Sequence, residues 1–316
     1  GDDELAQAKS LGVGVAGLAE AFGSLRPDVL LVLGDRIEAF AAGVAAAYMN
    51  VPVAHVHGGD ATQGGMIDDS TRHALTKFAH LHFPASDRSA ARVLALGEEE
   101  WRVTTVGAPG LDDVLAGRYE DGEAVREALG VEPDRRLAVV VQHPVTTEVE
   151  DAGPQMKATL DAVAAVEAET VVVYPNADPG GGTMIETIES HPARDSFLVF
   201  ENLPRDRYLG LLDAADVLVG NSSSGIIEST SFGLPAVDVG RRQDGRERGD
   251  NVVHVPHDAG EIHAAVERCL DDPEAIRRGE TADNPYSRGG AADLIVERLE
   301  SVQLDEALLR KKEELL

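Results

Sequence analysis

The amino-acid sequence predicts an α/β protein of two domains, each built on a mostly parallel sheet that helices cover. Its 316 residues suggest two domains, since a domain takes about 150 residues. Apolar runs rich in valine and leucine alternate with alanine-rich helical patterns, an order that is typical of parallel strands joined by crossover helices. Glycine, proline and charged residues interrupt this alternation between Gly110 and Arg136. We therefore predict an N-terminal domain over residues 1–118 and a C-terminal domain over residues 119–316.

The hydrophobic pattern of each segment predicts the elements. Short apolar runs predict strands at Asp28–Leu33, Val51–Val56, Leu81–Phe83, Leu137–Val141, Thr170–Tyr174, Phe197–Phe200, Val217–Val219 and Ala236–Val239. Longer alanine-rich segments predict helices at Glu4–Leu18, Arg36–Tyr48, Asp69–Ala79, Ser86–Leu96, Gln155–Glu169, Arg205–Ala215 and Glu261–Leu270. The tail Ala291–Leu316 is predicted as one long helix that Asn284-Pro285-Tyr286 would start.

Composition and charge exclude several classes of protein. With 43% hydrophobic and 27% charged residues, the chain is neither disordered nor collagen-like. Its net charge of −28 disfavours binding to nucleic acid or to an anionic membrane, so a bound phosphate needs a local basic or helix-terminus site. The longest charge-free apolar stretches fall short of the roughly 20 residues of a membrane helix.

The same composition indicates a cellular setting. Only five of the 28 basic residues are lysines, and this acid-rich, lysine-poor chain suggests a salt-rich cytoplasm. The single cysteine, Cys269, cannot form an internal disulfide. A reducing compartment is therefore the simplest prediction.

Polar residues follow the first two predicted strands, at the sheet edge where parallel sheets bind ligands. Asp35 and Arg36 come directly after the first strand, where a helix cap is the alternative role for Asp35. His55, His57 and Asp60 come with the second strand and its two following glycines. A His-x-His pair can bind a metal, but two histidines on one face of a strand often only pack or form hydrogen bonds.

Charged residues also lie where a helix is predicted to begin. Asp68 and Arg72 are four residues apart, so they share one face of that helix. They are candidates for a charged site, although a carboxylate at a helix start is commonly just a favourable partner of the helix dipole.

The predicted C-terminal domain carries candidate residues after three strands. His143 and Asn176 end two neighbouring strands, and a purely structural role is the alternative for the histidine. The segment Asn221-Ser222-Ser223-Ser224-Gly225 lies between a strand and the predicted helical run Ile226–Ser229. Free amides and hydroxyls at a helix start favour a phosphate site, while a simple helix cap is the alternative. Glu228, one turn further, could accept hydrogen bonds from a ribose.

The segment Gly240–Arg248 concentrates four arginines in a strongly acidic protein. Guanidinium groups suit the oxygens of a diphosphate. The alternative is a basic loop that pairs with its own acids, Asp244 and Glu247.

Together these segments resemble the UDP-N-acetylglucosamine 2-epimerase family, and more closely its hydrolysing branch, which releases UDP and N-acetylmannosamine-type sugars. The resemblance runs from about Leu25 to the helix after Pro285. It rests on seven segments in the same order, namely Gly34-Asp35-Arg36, His55-Val56-His57-Gly58-Gly59-Asp60, Ile67 to Lys77, Gln142-His143-Pro144-Val145-Thr146-Thr147, Pro175-Asn176-Ala177-Asp178, Asn221 to Gly225 and Gly240 to Arg246.

The resemblance implies two Rossmann-like domains of the glycosyltransferase-B type, with UDP on the second domain and the sugar in the cleft. It also implies a homo-oligomer, either a dimer or a tetramer. Members of the family begin with an additional strand-loop-helix unit, and the sequence from Gly1 onward has no counterpart of it. The N-terminal domain is therefore expected to lack that unit.

The resemblance further implies a role for each matching residue. Ser222 and Ser223 would hold the diphosphate, Glu228 the ribose and Arg242 the nucleotide. Arg36, His143 and Asn176 would line the substrate cleft.

Four other residues would carry the reaction. Asp35 and Asp68 would be the acid/base carboxylates, and Arg72 their electrostatic partner. His57 would be a further proton carrier, at a position where some relatives have Glu.

The implied reaction removes UDP from C1 and the proton from C2, and water then adds to the resulting glycal. It needs neither a metal nor a nicotinamide or other cofactor. A non-hydrolysing epimerase is the nearest alternative. A metal-dependent hydrolase that uses His55, His57, Asp60, His80 and His82, or a catalytically silent sugar-nucleotide binder, are alternatives of another class.

Overall fold

A computed structural model describes residues 4–61 and 66–312 and divides the chain into two compact units. The first unit comprises Gly1–Asp112 and Tyr286–Leu316, and the second comprises Asp113–Pro285. The sequence-based boundary lay at residues 118 and 119 and assigned the tail to the second domain. The structure differs, because the tail belongs to the first unit.

The first unit contains a sheet of three parallel strands. Its elements up to residue 95 are α1 (Glu4–Leu25), β1 (Leu30–Leu33), α2 (Ile37–Tyr48), β2 (Val53–Val56), α3 (Met66–Phe78), β3 (Leu81–Phe83) and α4 (Asp87–Ala95). The strands pair in the order β1-β2-β3. Helix α2 buries small residues such as Ala42, Ala45 and Ala46, and its core neighbours include Val53 and Leu75.

The second unit contains a sheet of six parallel strands. Its elements are α5 (Asp112–Leu115), which begins at the last residue of the first unit, α6 (Gly122–Leu129), β4 (Leu137–Val141), α7 (Ala152–Ala164), β5 (Glu169–Val173), α8 (Gly181–Glu189), β6 (Phe197–Phe200), α9 (Arg205–Ala214), β7 (Val217–Gly220), α10 (Glu228–Ser231), β8 (Ala236–Val239), β9 (Val252–Val255), α11 (Ala259–Asp271) and α12 (Pro273–Thr281). The strand order is β6-β5-β4-β7-β8-β9. The order reverses between β4 and β7, and open parallel sheets bind ligands at such a reversal.

The α/β class with parallel sheets is confirmed, and so are all eight predicted strands. The predicted tail helix is wrong. The structure instead has α13 (Ala291–Ser301) and the short α14 (Glu306–Leu309). Helix α13 starts after Gly290, whose positive φ of 104° is a conformation that favours glycine. Within residues 4–61 and 66–312, no helix has the length and apolarity needed to cross a bilayer.

Buried side chains hold the tail to the first unit. The Arg102 guanidinium is 1% exposed and donates to the carbonyl oxygens of Ala307, Leu308 and Arg310 at 2.8–3.2 Å. These are carbonyls at the end of α14, which lack partners within the helix. The Lys311 ammonium lies 2.7 Å from the buried Glu98 carboxylate. The tail therefore completes the first unit by capping and ion pairing.

A buried ionic cluster surrounds Glu98. Lys77 binds one of its oxygens at 2.8 Å, while Lys311 and His82 bind the other at 2.7 and 3.0 Å. Burial opposes the charge on this carboxylate, but the hydrogen bonds from His82 and the two lysines outweigh it and lower the Glu98 pKa to about 2. The cluster joins α3, β3 and the tail.

Candidate functional site

The turn after β1 places Asp35 and Arg36 at the carboxyl edge of the first sheet. Gly34 has a positive φ of 74°, and its carbonyl oxygen lies 2.8 Å from His55 Nε2 on the neighbouring strand. The Asp35 side chain is 22% exposed and that of Arg36 is 72% exposed. Arg36 is the N-cap residue of α2 but makes no capping hydrogen bond with its side chain, and it forms a long ion pair of 3.8 Å with Glu38. The turn thus presents a carboxylate and an accessible guanidinium.

Arg72 on α3 is the centre of a buried charge network. Its side chain is 2% exposed and forms an ion pair with Asp35. It also binds the Asp69 carboxylate at 2.5 Å and donates to the Asp60 carbonyl oxygen at 2.8 Å. Burial opposes the charge, but the carboxylates, Asp35 foremost, raise the pKa of Arg72. Arg72 therefore stays cationic and holds the Asp35 carboxylate in position through the ion pair.

The structure places Asp69, the residue after Asp68, in direct contact with the Arg72 guanidinium. Both aspartates lie in the first turn of α3, where negative charge is favourable. Asp69 is three residues from Arg72, a spacing that also places two side chains on one helix face. Asp68 is exposed. The sequence predicted Asp68, four residues from Arg72, and gave no reason to choose Asp69, three residues away.

His57 leaves the second strand in a left-handed conformation. Strand β2 ends at Val56, and His57 has a φ of 64°, which is rare for a residue other than glycine. Its Nδ1 lies 3.2 Å from the Asp60 carboxylate. His55, by contrast, is fully buried, and burial lowers its pKa to about 4. The sequence had suggested that the two histidines lie on one face of a strand. The structure differs, because His57 lies beyond the end of β2.

The other two histidines of the proposed metal set also have separate partners. His80 Nδ1 accepts from the Val53 backbone amide at 3.1 Å, and His82 binds Glu98. Among the residues that the structure describes, no three His, Cys, Asp or Glu side chains are grouped so that they could hold a metal ion. The described residues therefore provide no set of ligands for the metal ion that a metal-dependent hydrolase would need.

His143 and Asn221 occupy the point of the second sheet where the strand order reverses. His143 follows β4 and Asn221 follows β7. The Asn221 Oδ1 accepts from the His143 backbone amide at 2.7 Å, and its Nδ2 donates to the His143 carbonyl at 2.8 Å. The His143 Nδ1 accepts from the backbone amide of Asn176 at 3.1 Å, which links β5 to the same edge. Burial, with the nearby Arg242, lowers the His143 pKa to about 4, so the ring is neutral near pH 7.

The serine-rich segment forms a tight turn instead of the start of a long helix. A 3₁₀ turn covers Ser223–Gly225, and only the single-turn α10 follows it. The Ser222 hydroxyl accepts from the Ser224 backbone amide at 3.3 Å, which is the capping role considered from the sequence. The predicted helical run Ile226–Ser229 is confirmed only from Glu228, because Ile226 and Ile227 form a turn. Small residues still keep this turn close to the end of β7.

Two further side chains adjoin the serine turn. Glu228 is the first residue of α10 and is partly buried. The hydroxyl of Tyr208 on α9 is buried beside the hydroxyls of Ser222 and Ser224, and burial raises the Tyr208 pKa. Sequence reasoning missed Tyr208, because only the fold brings α9 against this turn.

The arginine-rich segment Gly240–Arg248 contacts Asn221. Arg242 Nη1 and Gln243 Nε2 both donate to the Asn221 carbonyl oxygen, at 3.1 and 2.8 Å. Arg248 pairs with Asp238 of β8 at 3.1 Å, an acid that lies outside the segment. Segment and serine turn are thus held together through Asn221. Gln243 is buried and was not singled out from the sequence, since a glutamine among arginines carries no distinctive signal.

Comparison with known proteins gives these motifs a context. The family model described as UDP-N-acetylglucosamine 2-epimerase matches residues 1–300. A UDP-N,N'-diacetylbacillosamine 2-epimerase (hydrolyzing) of Legionella pneumophila is 35% identical over 304 residues, which is 96% of this chain and 79% of that protein. A GDP/UDP-N,N'-diacetylbacillosamine 2-epimerase (hydrolyzing) of Campylobacter jejuni is 33% identical over 80% of this chain and 66% of that protein, just under two thirds of its length.

Solved structures agree on the fold. The crystal structure of UDP-GlcNAc 2-epimerase from Neisseria meningitidis, bound to UDP-GlcNAc, matches with a TM-score of 0.81 at 18% identity, over 94% of this chain and 82% of that one. This likeness supports two Rossmann-like domains of the glycosyltransferase-B type. The extent of the family match and the identity to the Legionella protein establish that this chain belongs to the UDP-N-acetylglucosamine 2-epimerase family.

Proposed function

We propose that the protein is a hydrolysing UDP-N-acetylhexosamine 2-epimerase that releases UDP and a 2-epimerised sugar. The observation that carries this proposal is the ion pair between buried Arg72 and partly exposed Asp35 at the edge of the first sheet. It holds a partly exposed carboxylate in a defined position, as removal of a proton from carbon requires. The Legionella and Campylobacter relatives, both named as hydrolysing epimerases, support the hydrolysing outcome.

The proposed reaction proceeds in two stages. In the first, the C2 proton passes to a base, the C1–O bond breaks, and its electron pair leaves with UDP, so that a glycal remains. In the second, a water oxygen bonds to C1 and a proton adds to C2 from the opposite face. Each positioned acid or base is worth about 10²- to 10⁴-fold in rate.

The second unit is proposed to bind the nucleotide. Ser222 and Ser223 would hold the diphosphate, Glu228 the ribose and Arg242 the nucleotide, while His143 and Asn176 would contact the substrate. Their position after β4, β5, β7 and β8, around the reversal of strand order, supports these roles. Because the protein carries a net charge of −28, the leaving diphosphate depends on such local donors for stabilisation.

The first unit is proposed to carry the proton transfers. Asp35 and Asp68 would serve as acid and base, with Arg72 as electrostatic partner, His57 as a further proton carrier and Arg36 as a substrate contact. The exposure of Asp68 and Arg36 and the partial exposure of Asp35 support access to substrate. Arg72 contacts Asp35 and Asp69 but is itself buried, which suits a supporting role.

The test is incubation of the protein with UDP-N-acetylglucosamine, and separately with UDP-N,N'-diacetylbacillosamine, in D₂O. We expect free UDP and an epimerised sugar with deuterium at C2, because the C2 proton exchanges with solvent. The variant Asp35→Asn should lose at least about 100-fold in rate, whereas Asp283→Asn, at an exposed position, should not. Failure to release UDP from either substrate would contradict the proposal.

The same assay decides between this proposal and the non-hydrolysing epimerase. That enzyme would keep UDP attached and yield the epimeric UDP-sugar with deuterium at C2. UDP binding without turnover would instead identify a silent binder. Loss of activity on dialysis against EDTA would favour the metal-dependent hydrolase.

We propose that the enzyme works in a salt-rich, reducing cytoplasm, as a dimer or tetramer, in sialic acid or surface-glycan precursor synthesis. The excess of 56 acidic over 28 basic residues supports the first point. The single cysteine, Cys269, supports the second, because it cannot form the internal disulfides that are typical of oxidising compartments. Activity against KCl concentration and the mass in solution by light scattering test the setting and the assembly.

A further inference from the structure

The turn that carries His57 is held rigidly against the start of α4. Gly59 has a φ of 81°, and the Ser89 carbonyl leaves no room for a side chain at that position. Arg92 Nη1 donates to the Gly59 carbonyl oxygen at 2.9 Å. A turn with two residues in the left-handed region, at positions 57 and 59, is thus fixed by α4 from outside. Its side chains have defined positions as a result.

The Asp60 side chain contacts both Ser89 of α4 and His57. Its side chain is 5% exposed, and Oδ2 lies 3.2 Å from His57 Nδ1. The other oxygen, Oδ1, accepts from the Ser89 hydroxyl at 2.8 Å. The two oxygens of the carboxylate therefore face different partners.

An ionised Asp60 carboxylate would determine the tautomer of the His57 imidazole. An ionised carboxylate only accepts hydrogen bonds, so the hydrogen between Asp60 and His57 belongs to Nδ1. A neutral His57 then carries its free lone pair on Nε2. The His57 side chain is 14% exposed, so the ring is not sealed from solvent.

We propose that Asp60, backed by Ser89, is a positioning residue that holds His57 in the tautomer with a basic Nε2. This inference rests on the proposed function, in which His57 exchanges a proton with the reacting sugar or water. Nε2 takes up that proton and later returns it, Nδ1 keeps its own, and Asp60 stays ionised and balances the imidazolium charge. The same arrangement of carboxylate and imidazole is the general way to orient a catalytic histidine.

The first experiment reads the tautomer without any turnover. The ¹⁵N spectrum of histidine-labelled protein, with His57 assigned through His57→Gln, should show the hydrogen on Nδ1. In Asp60→Asn, Ser89 still donates to the carbonyl oxygen, so the amide NH₂ faces the ring and the hydrogen should move to Nε2. An unchanged tautomer in Asp60→Asn, or a wild-type hydrogen on Nε2, would overturn the inference.

The second experiment is a double-mutant cycle in the UDP-release assay. Asp60→Asn should lower kcat by at least about tenfold with little change in KM, and should cost nothing further in the His57→Gln background. Additive losses would mean that Asp60 acts on the fold and not through His57. The matched control is Asp161→Asn, which alters another His–Asp pair, 3.0 Å from His191 in the second unit, and should leave kcat unchanged. If the wild type releases no UDP, the proposed function fails while the tautomer experiment still decides this inference.

Discussion

Asn221 and His143 exchange two hydrogen bonds at the carboxyl ends of neighbouring strands, one through each atom of the Asn221 amide. This exchange satisfies a backbone donor and a backbone acceptor of His143 just where β4 has ended. The carbonyl oxygen of Asn221 in turn accepts from Arg242 and Gln243. One buried asparagine thus holds three loops of the second unit in register.

Replacing Asn221 with alanine should weaken both stability and UDP binding. The variant leaves the partly buried amide and carbonyl of His143 without these partners, which costs about 1–3 kcal/mol in the free energy of unfolding. UDP affinity, measured by calorimetry, should fall at least about tenfold, equivalent to 1.4 kcal/mol. The control is Asn202→Ala at an exposed position. Unchanged UDP affinity in Asn221→Ala would argue against a nucleotide site here.

Replacing Arg72 with glutamine should destabilise the first unit. Two carboxylates, Asp35 and Asp69, lose the cation that compensates them, and breaking a buried ion pair in this way costs about 3–5 kcal/mol. Urea unfolding measures this loss. Arg118→Gln, which breaks an exposed pair with Asp113, should cost less than about 1 kcal/mol. Equal losses in both variants would contradict a buried role for Arg72.

The two adjacent lysines near the end of the chain should behave differently. Lys311→Met removes one of the cations around buried Glu98, and because Lys77 and His82 remain, we expect a loss of about 1–3 kcal/mol. Lys312→Met, at an exposed position, should be within about 0.5 kcal/mol of wild type. Denaturant titrations of both variants measure the difference. An unchanged free energy of unfolding in Lys311→Met would show that the tail does not depend on this cluster.

Stability should fall as the pH drops from about 6.5 to 4. Burial lowers the pKa of His55 and of His80 to about 4, against an ordinary value of 6.5, so the unfolded chain binds more protons in this window. Each residue contributes a slope of up to about 1.4 kcal/mol per pH unit. His80→Asn, which keeps an acceptor for the Val53 amide, should reduce the slope accordingly. Unfolding curves at several pH values that show no slope would contradict the burial of these rings.

The class of fold and most strands were predictable because local patterns determine them. Runs such as Leu137–Val141 are buried on both faces, and such strands are continuous apolar segments. Strand β9 escaped prediction, because it is an edge strand in which His254 is exposed among valines. The tail was predicted as one helix because its charged, leucine-rich pattern continues past Ser301, where the chain in fact turns away.

The candidate site was predictable in position but not in its contacts. Parallel strands end at one edge, so Asp35 and His57, or His143 and Asn221, could be grouped from strand order alone. The carboxylate partners of Arg72 could not be predicted, since Asp68 and Asp69 both have a suitable helical spacing. Only the orientation of α3 determines which carboxylate contacts the guanidinium. The hydroxyl of Tyr208 and the carboxylate of Asp60 reach their neighbours through tertiary packing, for which the sequence has no local signal.

The capping of α14 by Arg102 links residues that are more than 200 positions apart. The second unit is one uninterrupted stretch, Asp113–Pro285, so it is synthesised before the segment Tyr286–Leu316 of the first unit. The residues of the second unit are therefore complete first, while the Arg102 donor of the first unit still lacks the carbonyl acceptors at the end of α14. The unit that begins first in the sequence is thus the last to have all of its residues synthesised.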